Sequence, residues 1–506
     1  MNTFVEPIIL NTDSIEAPKV GNDLYTSRKN VYNELLDANA PTASIIVQAY
    51  NRLGKTKRCV ENILKYTTDV SFELILVDNG STDGTYEFFQ SVDYHDKKIV
   101  RVTKNVGAAF PSFYLYNNFK GKYFVIVSND IVVTHHWLSN LLTCFESDVR
   151  IGMVIPLSSN VSNLQDPGWR FDSLEEMEEV AKEYNHSNSL KWKERMRLIT
   201  TIVIFSREIL DIVGKTDAGY FHDFAEDDLA IRIRRAGYKL ILCEDTYIHH
   251  DHDFRNMEDK DPVEFQNSLN MGRQNYKDKY HGLDAWDDVN NFERPLINML
   301  PQPSAQNNCP QILGVDIRMG TPILEIKNKL RESGVLKTRS SAFTTKAIYY
   351  SELATICDGE VYSDRIDAIQ EHFEAESFDY LILGEPVNLY PNPLNLIKKL
   401  LSLIKKGGKL LIKLRNTNDV RKLFTTLGRN DLCDTETPVD ILIDDFIKIL
   451  GSFRFANVQT GFEMHNIDKN IEDLITALIE GAQFAADSNE SIVRLTIKDY
   501  LFYIEK

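Results

Sequence analysis

Residues 72–92 read FELILVDNGSTDGTYEFFQSV. The first seven, FELILVD, are a mostly apolar run ending on an acid, the pattern of a short strand buried on both faces. NGSTDG then concentrates the residues that turn a chain, glycine for left-handed backbone and Asn, Ser, Thr and Asp for local hydrogen bonds. GTYEFFQSV resumes with helical spacing. Strand, polar turn and helix make half of a βαβ unit, so the stretch predicts a mainly parallel sheet with helices on its faces.

The same unit recurs on both sides. SIIVQAY (44–50) reads as a strand, and KTKRCVENILKYT (55–67) as a helix carrying Cys59, Val60, Ile63 and Leu64 on one face. KIVRVT (98–103) is a strand, FPSFYLYNNF (110–119) a helix after its proline, and KYFVIVSND (122–130) another strand. Near Pro156 the pattern gives way to a polar stretch, 156–188, holding one acidic helix. LITTIVIFS (198–206) and KLILCEDTYIHH (239–250) restore buried strands around the helix EDDLAIRIRRAGY (226–238), where Gly237 stands at the position of a C-terminal stop.

A chain of 506 residues exceeds one ordinary core, so two or three domains are expected. The stretch 284–311, rich in Pro, Asn and Asp, marks a boundary, and a second α/β pattern starts at ILGVDI (312–317). The expected division is an N-terminal extension over 1–41, a first domain over 42–300, a linker over 301–311 and a second domain over 312–506. The net charge of −17 argues against general nucleic-acid or anionic-membrane binding. The six cysteines show no CxxC spacing, which fits free thiols in a reducing compartment better than disulfides or zinc. The first twenty residues lack a signal-peptide core, and no window approaches the ~20 apolar residues of a membrane span. A soluble cytoplasmic protein is the expectation.

Acids recur where strands end: Asp78, Asp130, and the run Glu226-Asp227-Asp228 opening a helix. In open α/β sheets ligands bind beyond the carboxyl ends of the strands. Carboxylates gathered there suit a hard divalent cation and a phosphorylated ligand, although any one of them alone reads better as a turn or helix cap. Their order is more specific. ASIIVQAYNR (43–52), LILVDNGSTDGT (74–85), NVGAAF (105–110), VSNDIVV (127–133), FAEDDLAIRIRRAGYK (224–239) and TYIHH (246–250) together resemble the family 2 glycosyltransferases of GT-A fold, over roughly residues 42–285.

That resemblance implies roles. Gln48, Ala49, Tyr50 and Asn51 would line the nucleotide base, with Tyr50 offering a stacking face. Asp78 would accept a hydrogen bond from a uracil-type imide, and Asp83 would order the same loop. Asn105, Gly107 and Asn129 would lie against the nucleotide. Asp130 matches the last position of the family's metal motif, here Ser128-Asn129-Asp130, so the first carboxylate is missing and metal binding should depend on the nucleotide diphosphate. His249 best fits the histidine that completes the coordination, with His250 and His252 close behind. The general base falls on Glu226 or the adjacent Asp227, while Asp228 serves the helix N-terminus. Trp169 stands where relatives place donor sugar or acceptor, as could Asp228, His250 and His252.

Residues 312 to about 460 resemble a class I S-adenosylmethionine-dependent methyltransferase, through ILGVDIRMGTPILEIKNKL (312–330) and SFDYLILGEPVNLYPNPLNLIKKLLSLIKKGGKLLIKL (377–414). Asp316 and Arg318 stand where that family carries glycines, and Gly320 alone remains. Bulky side chains there obstruct a cofactor, so a non-catalytic domain that binds no S-adenosylmethionine is expected. The whole reads as a Mn²⁺- or Mg²⁺-dependent inverting transferase using a nucleoside-diphosphate sugar, UDP-GlcNAc for example. Its acceptor hydroxyl would belong to a protein such as flagellin or to a growing glycan. The other reading is a non-catalytic protein that binds sugar nucleotides.

Overall fold

The computed structural model describes residues 21–107, 118–217, 219–220, 223–252, 262–302, 309–422, 438–467, 469–481 and 488–506. The helix expected over 110–119, the AAF end of NVGAAF, residues 303–308 of the expected linker and Cys433 lie outside or mostly outside them. Nine strands form the first sheet among the described residues: β1 (Ala43–Ala49), β2 (Phe72–Asp78), β3 (Lys97–Arg101), β4 (Tyr123–Ser128), β5 (Ile131–Val132), β6 (Ile151–Ser158), β7 (Trp192–Arg195), β8 (Ile202–Ser206) and β9 (Lys239–His250). Their order is β3-β2-β1-β4-β8-β6-β9-β5, with β7 also on β9.

The four strands β3, β2, β1 and β4 are parallel, as expected of βαβ units, and their carboxyl ends share one edge. Ala49 pairs with Asp78, Gln48 with Ser128, and Asp78 with Arg101. Alternate residues fill different cores: Ile45, Val47, Leu74 and Leu76 on one face, Ile46, Ile75 and Val77 on the other. β8 runs antiparallel to both its neighbours, so the sheet is mixed beyond β4. β5 is antiparallel to β9, with Ile131 opposite His250 and Val132 opposite His249. That short ladder carries the end of β9 back to the turn that follows β4.

The N-terminal stretch, whose sequence shows little pattern, contains a helix, Asn22–Glu34. It packs through Tyr25, whose ring meets Tyr238 edge-on at 5.0 Å. Gly237 just before it has φ 92°, and a Cβ there would fall on the Tyr25 hydroxyl. The Gly237 and Tyr238 amides donate back to the carbonyls of Arg234 and Ile233, the Schellman ending that the glycine stop predicts.

The second sheet contains β10 (Gln311–Val315), β11 (Arg339–Thr344), β12 (Val361–Ser363), β13 (Phe378–Leu383), β14 (Ile404–Arg415), β15 (Asn457–Met464) and β16 (Ile497–Glu505). Their order is β12-β11-β10-β13-β14-β16-β15. β16 is antiparallel to both neighbours and the others are parallel. This is a doubly wound sheet with its switch point between β10 and β13, the arrangement that the methyltransferase resemblance implies.

The two sheets share a core in which Ile231, Tyr276 and Leu296 pack with Ile323, Leu330 and Leu353. Buried charges cross the same boundary. Glu352, fully buried, receives Arg234 Nη1 and Arg235 Nε at 2.8 Å each, and Arg195 Nη1 lies 3.3 Å from Glu325. The helix Thr321–Glu332 lies along the free side of β7. Asn328 Oδ1 accepts from the Glu194 amide and its Nδ2 donates to the Glu194 carbonyl, each at 3.0 Å. A side-chain amide thus occupies backbone groups that would otherwise be an open strand edge.

Candidate functional site

The loops after β1 and β2 are built around backbone that few residues adopt. Asn51 and Arg52 are both left-handed, with φ of 55° and 61°. Such geometry persists only where the surroundings over-determine it. Here the Asn51 amide donates to Ser81 Oγ at 2.9 Å, and Asn51 Oδ1 accepts from the Thr82 amide at 2.9 Å. Asp83 accepts from the Leu53 amide at 2.7 Å and also holds Thr85. Asn129 Nδ2 donates to the Asn51 carbonyl at 3.0 Å and to Thr56 Oγ1 at 2.9 Å, so the middle residue of Ser128-Asn129-Asp130 fastens this loop.

The loop after β2 presses against the one after β3. A Cβ on Gly80, φ 83°, would lie 2.8 Å from backbone atoms of Lys104 and Asn105. Asn79 Nδ2 donates to Asn105 Oδ1 at 3.0 Å and to the Gly107 carbonyl at 2.9 Å, and Gln48 Nε2 reaches that carbonyl at 3.5 Å. Gln48, Ala49, Asn51, Asp78, Asn105 and Gly107 therefore meet at one edge, with Tyr50 beside them and 46% exposed. Asp78 is fully buried. Its Oδ1 accepts from the Ser81 amide at 2.8 Å, whereas its Oδ2 has no hydrogen-bond partner and only Arg101 Nε at 3.8 Å.

Asp130 follows at the exit of β4. Its Oδ1 is 3.5 Å from His250 Nε2, and its Oδ2 is 3.7 Å from His252 Nδ1 and 3.3 Å from Arg52 Nη1. Asp130, His250 and His252 each offer one donor atom, all within 4.8 Å of one another. Extended chain explains why these two histidines meet the acid: residues two apart share a face. His249, the sequence's first choice, points the other way, and its Nδ1 hydrogen-bonds with Ser159 Oγ at 2.8 Å. Burial lowers the pKa of His249. The backbone of His250 is pinned by Ser159 Oγ and Asn160 Nδ2, and Asp251 N donates to the Asp130 carbonyl at 2.8 Å. His250 Nδ1 is buried without a hydrogen-bond partner, and its ring stacks on His252 at 5.2 Å. Burial alone would raise the pKa of Asp130, but hydrogen bonds from His250 and His252 and the charge of Arg52 hold it far below the usual carboxylate range.

The acid run opens the helix Ala225–Arg235, and its members face different surroundings. Asp227 is buried against Arg197, through Nε to Oδ1 and through Nη2 to Oδ2 at 3.4 Å, and burial pushes its pKa up. Asp228, fully buried, accepts from Arg232 Nε at 2.9 Å, Tyr280 Oη at 2.6 Å and Lys279 Nζ at 2.5 Å. It is thus tied into the packing around its helix and not aimed at a sugar. Glu226 alone of the three is half-buried. Trp169 sits among aromatic rings, with Tyr184 at 4.7 Å and Tyr247 at 5.0 Å, so packing engages its ring. Arg52, Asn79, Ser159 and Arg197 were not singled out by the sequence reading. Arg52 does lie inside a recognised motif, AYNR, but nothing in its residue type announces a left-handed turn.

At the equivalent edge of the second sheet the acid is bonded from within. Asp316 and Arg318 keep left-handed backbone, φ 46° and 53°, where glycines were expected. Asp316 Oδ1 accepts from the amide and hydroxyl of Thr345 at 2.6 and 2.9 Å, and Oδ2 from Tyr390 Oη at 2.7 Å. A Cβ on Gly384, after β13, would lie 2.4 Å from the Asp316 carbonyl. Arg318 Nη1 donates to the Asp287 carbonyl at 2.7 Å, and Thr321 Oγ1 to that of Val289 at 2.5 Å. The stretch before β10 thereby packs against the loop that follows β10.

Residues 44–213, about a third of the chain, match the family model described as glycosyl transferase family 2. An uncharacterised protein of Sinorhizobium fredii, y4gI, is 28% identical over 238 residues, covering 42% of this chain and 24% of the relative. The glycosyltransferase GlyG of Streptococcus pneumoniae is 34% identical over 100 residues, 19% of this chain and 33% of the relative. The chain thus spans about a quarter to a third of the length of these curated relatives. Among solved structures, a mannosyltransferase from Pyrobaculum calidifontis in complex with GDP-Man and Mn²⁺ matches at 19% identity and a TM-score of 0.33, over 49% of this chain and 75% of that one.

Proposed function

We propose that the chain transfers a sugar, with inversion, from a nucleoside-diphosphate sugar to a hydroxyl acceptor. The observation that carries this reading is the meeting of Asp130, His250 and His252 at the same sheet edge as the half-satisfied Asp78, inside a family 2 domain. Asp78 Oδ2 is an acceptor suited to an imide N–H, which favours a uracil base and UDP-linked donors such as UDP-GlcNAc. Tyr50 presents an exposed ring beside it, and the backbone around Asn105 and Gly107 forms the adjoining wall.

The residues around Asp130 fit a divalent cation: one carboxylate and two imidazoles, each offering a donor atom within 4.8 Å of the others. Two nitrogen donors suit Mn²⁺ better than Mg²⁺, which prefers oxygens. Asp130, His250 and His252 would hold such an ion, and it would supply positive charge against the departing diphosphate. Glu226 takes the proton of the acceptor hydroxyl as that oxygen attacks the anomeric carbon and the bond to the diphosphate breaks. Asp227 is the weaker candidate, because Arg197 already occupies it.

The second domain, residues 312–506, acts in this reading without S-adenosylmethionine, as a wall behind the transferase domain and a surface for the acceptor. That role favours a protein serine or threonine, as in flagellin, over a glycan hydroxyl. No described helix is long and apolar enough to cross a membrane, and the protein works in the cytoplasm under this proposal. A thermal-shift screen of nucleotide sugars with and without Mn²⁺ tests the class and the donor together. The expected result is one UDP-sugar that stabilises only with Mn²⁺ and is slowly hydrolysed. Stabilisation without any hydrolysis or transfer would favour a non-catalytic binder, and no stabilisation by any donor would overturn the proposal.

A further inference from the structure

We infer that Arg52 is a diphosphate ligand that shares Asp130 with the cation: when the cation takes the carboxylate, the guanidinium moves to the donor's phosphate oxygens. The inference rests on the reading of this edge as a site for a metal and a nucleoside diphosphate.

Arg52 touches Asp130 through one nitrogen, Nη1, at 3.3 Å. A well-made guanidinium–carboxylate pair is a two-point fork at about 2.7–2.9 Å, so this contact is loose and leaves donors over. The side chain is 42% exposed, so it is open to solvent on part of its surface. Two cations on the helix that follows, Lys55 and Arg58, are differently placed. Arg58 Nη1 holds Asp251 Oδ2 at 2.8 Å, and Lys55 reaches both the carboxylate and the carbonyl of Asp251. Arg52 is therefore the cation near Asp130 with the least committed geometry.

Its backbone is the opposite. Arg52 is left-handed, at φ 61° and ψ 46°, and directly precedes the 14-residue helix Leu53–Tyr66. Four side chains, Ser81, Asp83, Asn129 and Asn51 itself, hold the turn by hydrogen bonds. A fixed root and a loosely held tip suit a side chain that changes partner. A divalent charge on Asp130 would repel a guanidinium 3.3 Å away, and phosphate oxygens bound beside that charge offer the planar fork a better partner.

The consequence is a coupling with a definite sign. Metal binding alone is opposed by Arg52, and nucleotide binding with metal is aided by it. Calorimetric titration of the full chain measures both, first with Mn²⁺ alone and then with UDP and with GDP in saturating Mn²⁺. Arg52→Asn keeps a residue that tolerates left-handed backbone. It should bind Mn²⁺ alone a few-fold more tightly and the nucleotide about 10-fold more weakly. Arg52→Lys keeps the charge without the fork, so its Mn²⁺ affinity should stay near wild type while nucleotide affinity still falls. If Arg52→Asn and Arg52→Lys both bind nucleotide as wild type does, or if both affinities weaken together, Arg52 has only a structural role. If the wild-type chain binds neither UDP nor GDP with Mn²⁺, the reading of the site itself fails, and the inference with it.

Discussion

Both sheets place a left-handed turn and an acid at or just beyond the carboxyl end of a central strand, yet the acids of one edge are loosely held and the acid of the other is fully bonded. At the first, Asp78 keeps an oxygen without a hydrogen bond, and Asp130 is surrounded by contacts of 3.3–3.7 Å, none of them tight. At the second, both Asp316 oxygens are bonded, at 2.6–2.9 Å, and Gly384 closes directly on the Asp316 carbonyl. Topology alone therefore does not make a site. Left-handed backbone is common to both, and what differs is whether the acid beside it is satisfied from within. An unsatisfied buried oxygen is costly, and retaining one is reasonable where a ligand supplies the missing donor.

That contrast can be broken by substitution. Glu226→Gln should lower turnover by about 10²–10⁴-fold, with donor binding and melting temperature unchanged. A rate near wild type would move the base elsewhere, with Asp227→Asn as the next variant to assay. His250→Ala should weaken Mn²⁺ binding by about 10–100-fold, while His249→Ala does so much less. Equal losses would return His249 to the ligand set. At the second edge the expected sign is reversed. Asp316→Ala should cost about 1–3 kcal/mol of stability, because it strands the donors of Thr345 and Tyr390, and should leave turnover per folded molecule alone. A change in turnover at constant stability would make that edge functional. The smallest effect should come from S-adenosylmethionine, which is expected to leave the melting temperature where it is; a clear rise would mean that the crevice opens.

The parallel half of the first sheet was legible because its strands are apolar runs separated by turn chemistry, and FELILVD and KYFVIVSND needed no tertiary information. The mixed half was less so. β7 has the sequence WKER, and it becomes a strand only because β9 pairs with one side and Asn328 covers the other. The direction of β8 is equally a property of its neighbours. At the site, the sequence pointed to a histidine after the last strand and put His249 first, whereas His250 and His252 are the ones that face Asp130. Parity along β9 decides that, and parity depends on the β5–β9 register. Likewise Glu226 and Asp227 look alike until Arg197, thirty residues earlier, pairs with one of them.

Asn328 on the edge of β7 also has a consequence in time. During synthesis the strand Trp192–Arg195 leaves the ribosome well before the helix Thr321–Glu332 that covers it. At ordinary elongation speeds the delay is on the order of ten seconds, long compared with the microseconds in which a hairpin forms. Through that window the nascent first sheet presents an uncovered strand edge to any other chain nearby. Early folding of this protein should therefore be its most aggregation-prone stage, and release of a chain ending before residue 321 should be far less soluble than the whole.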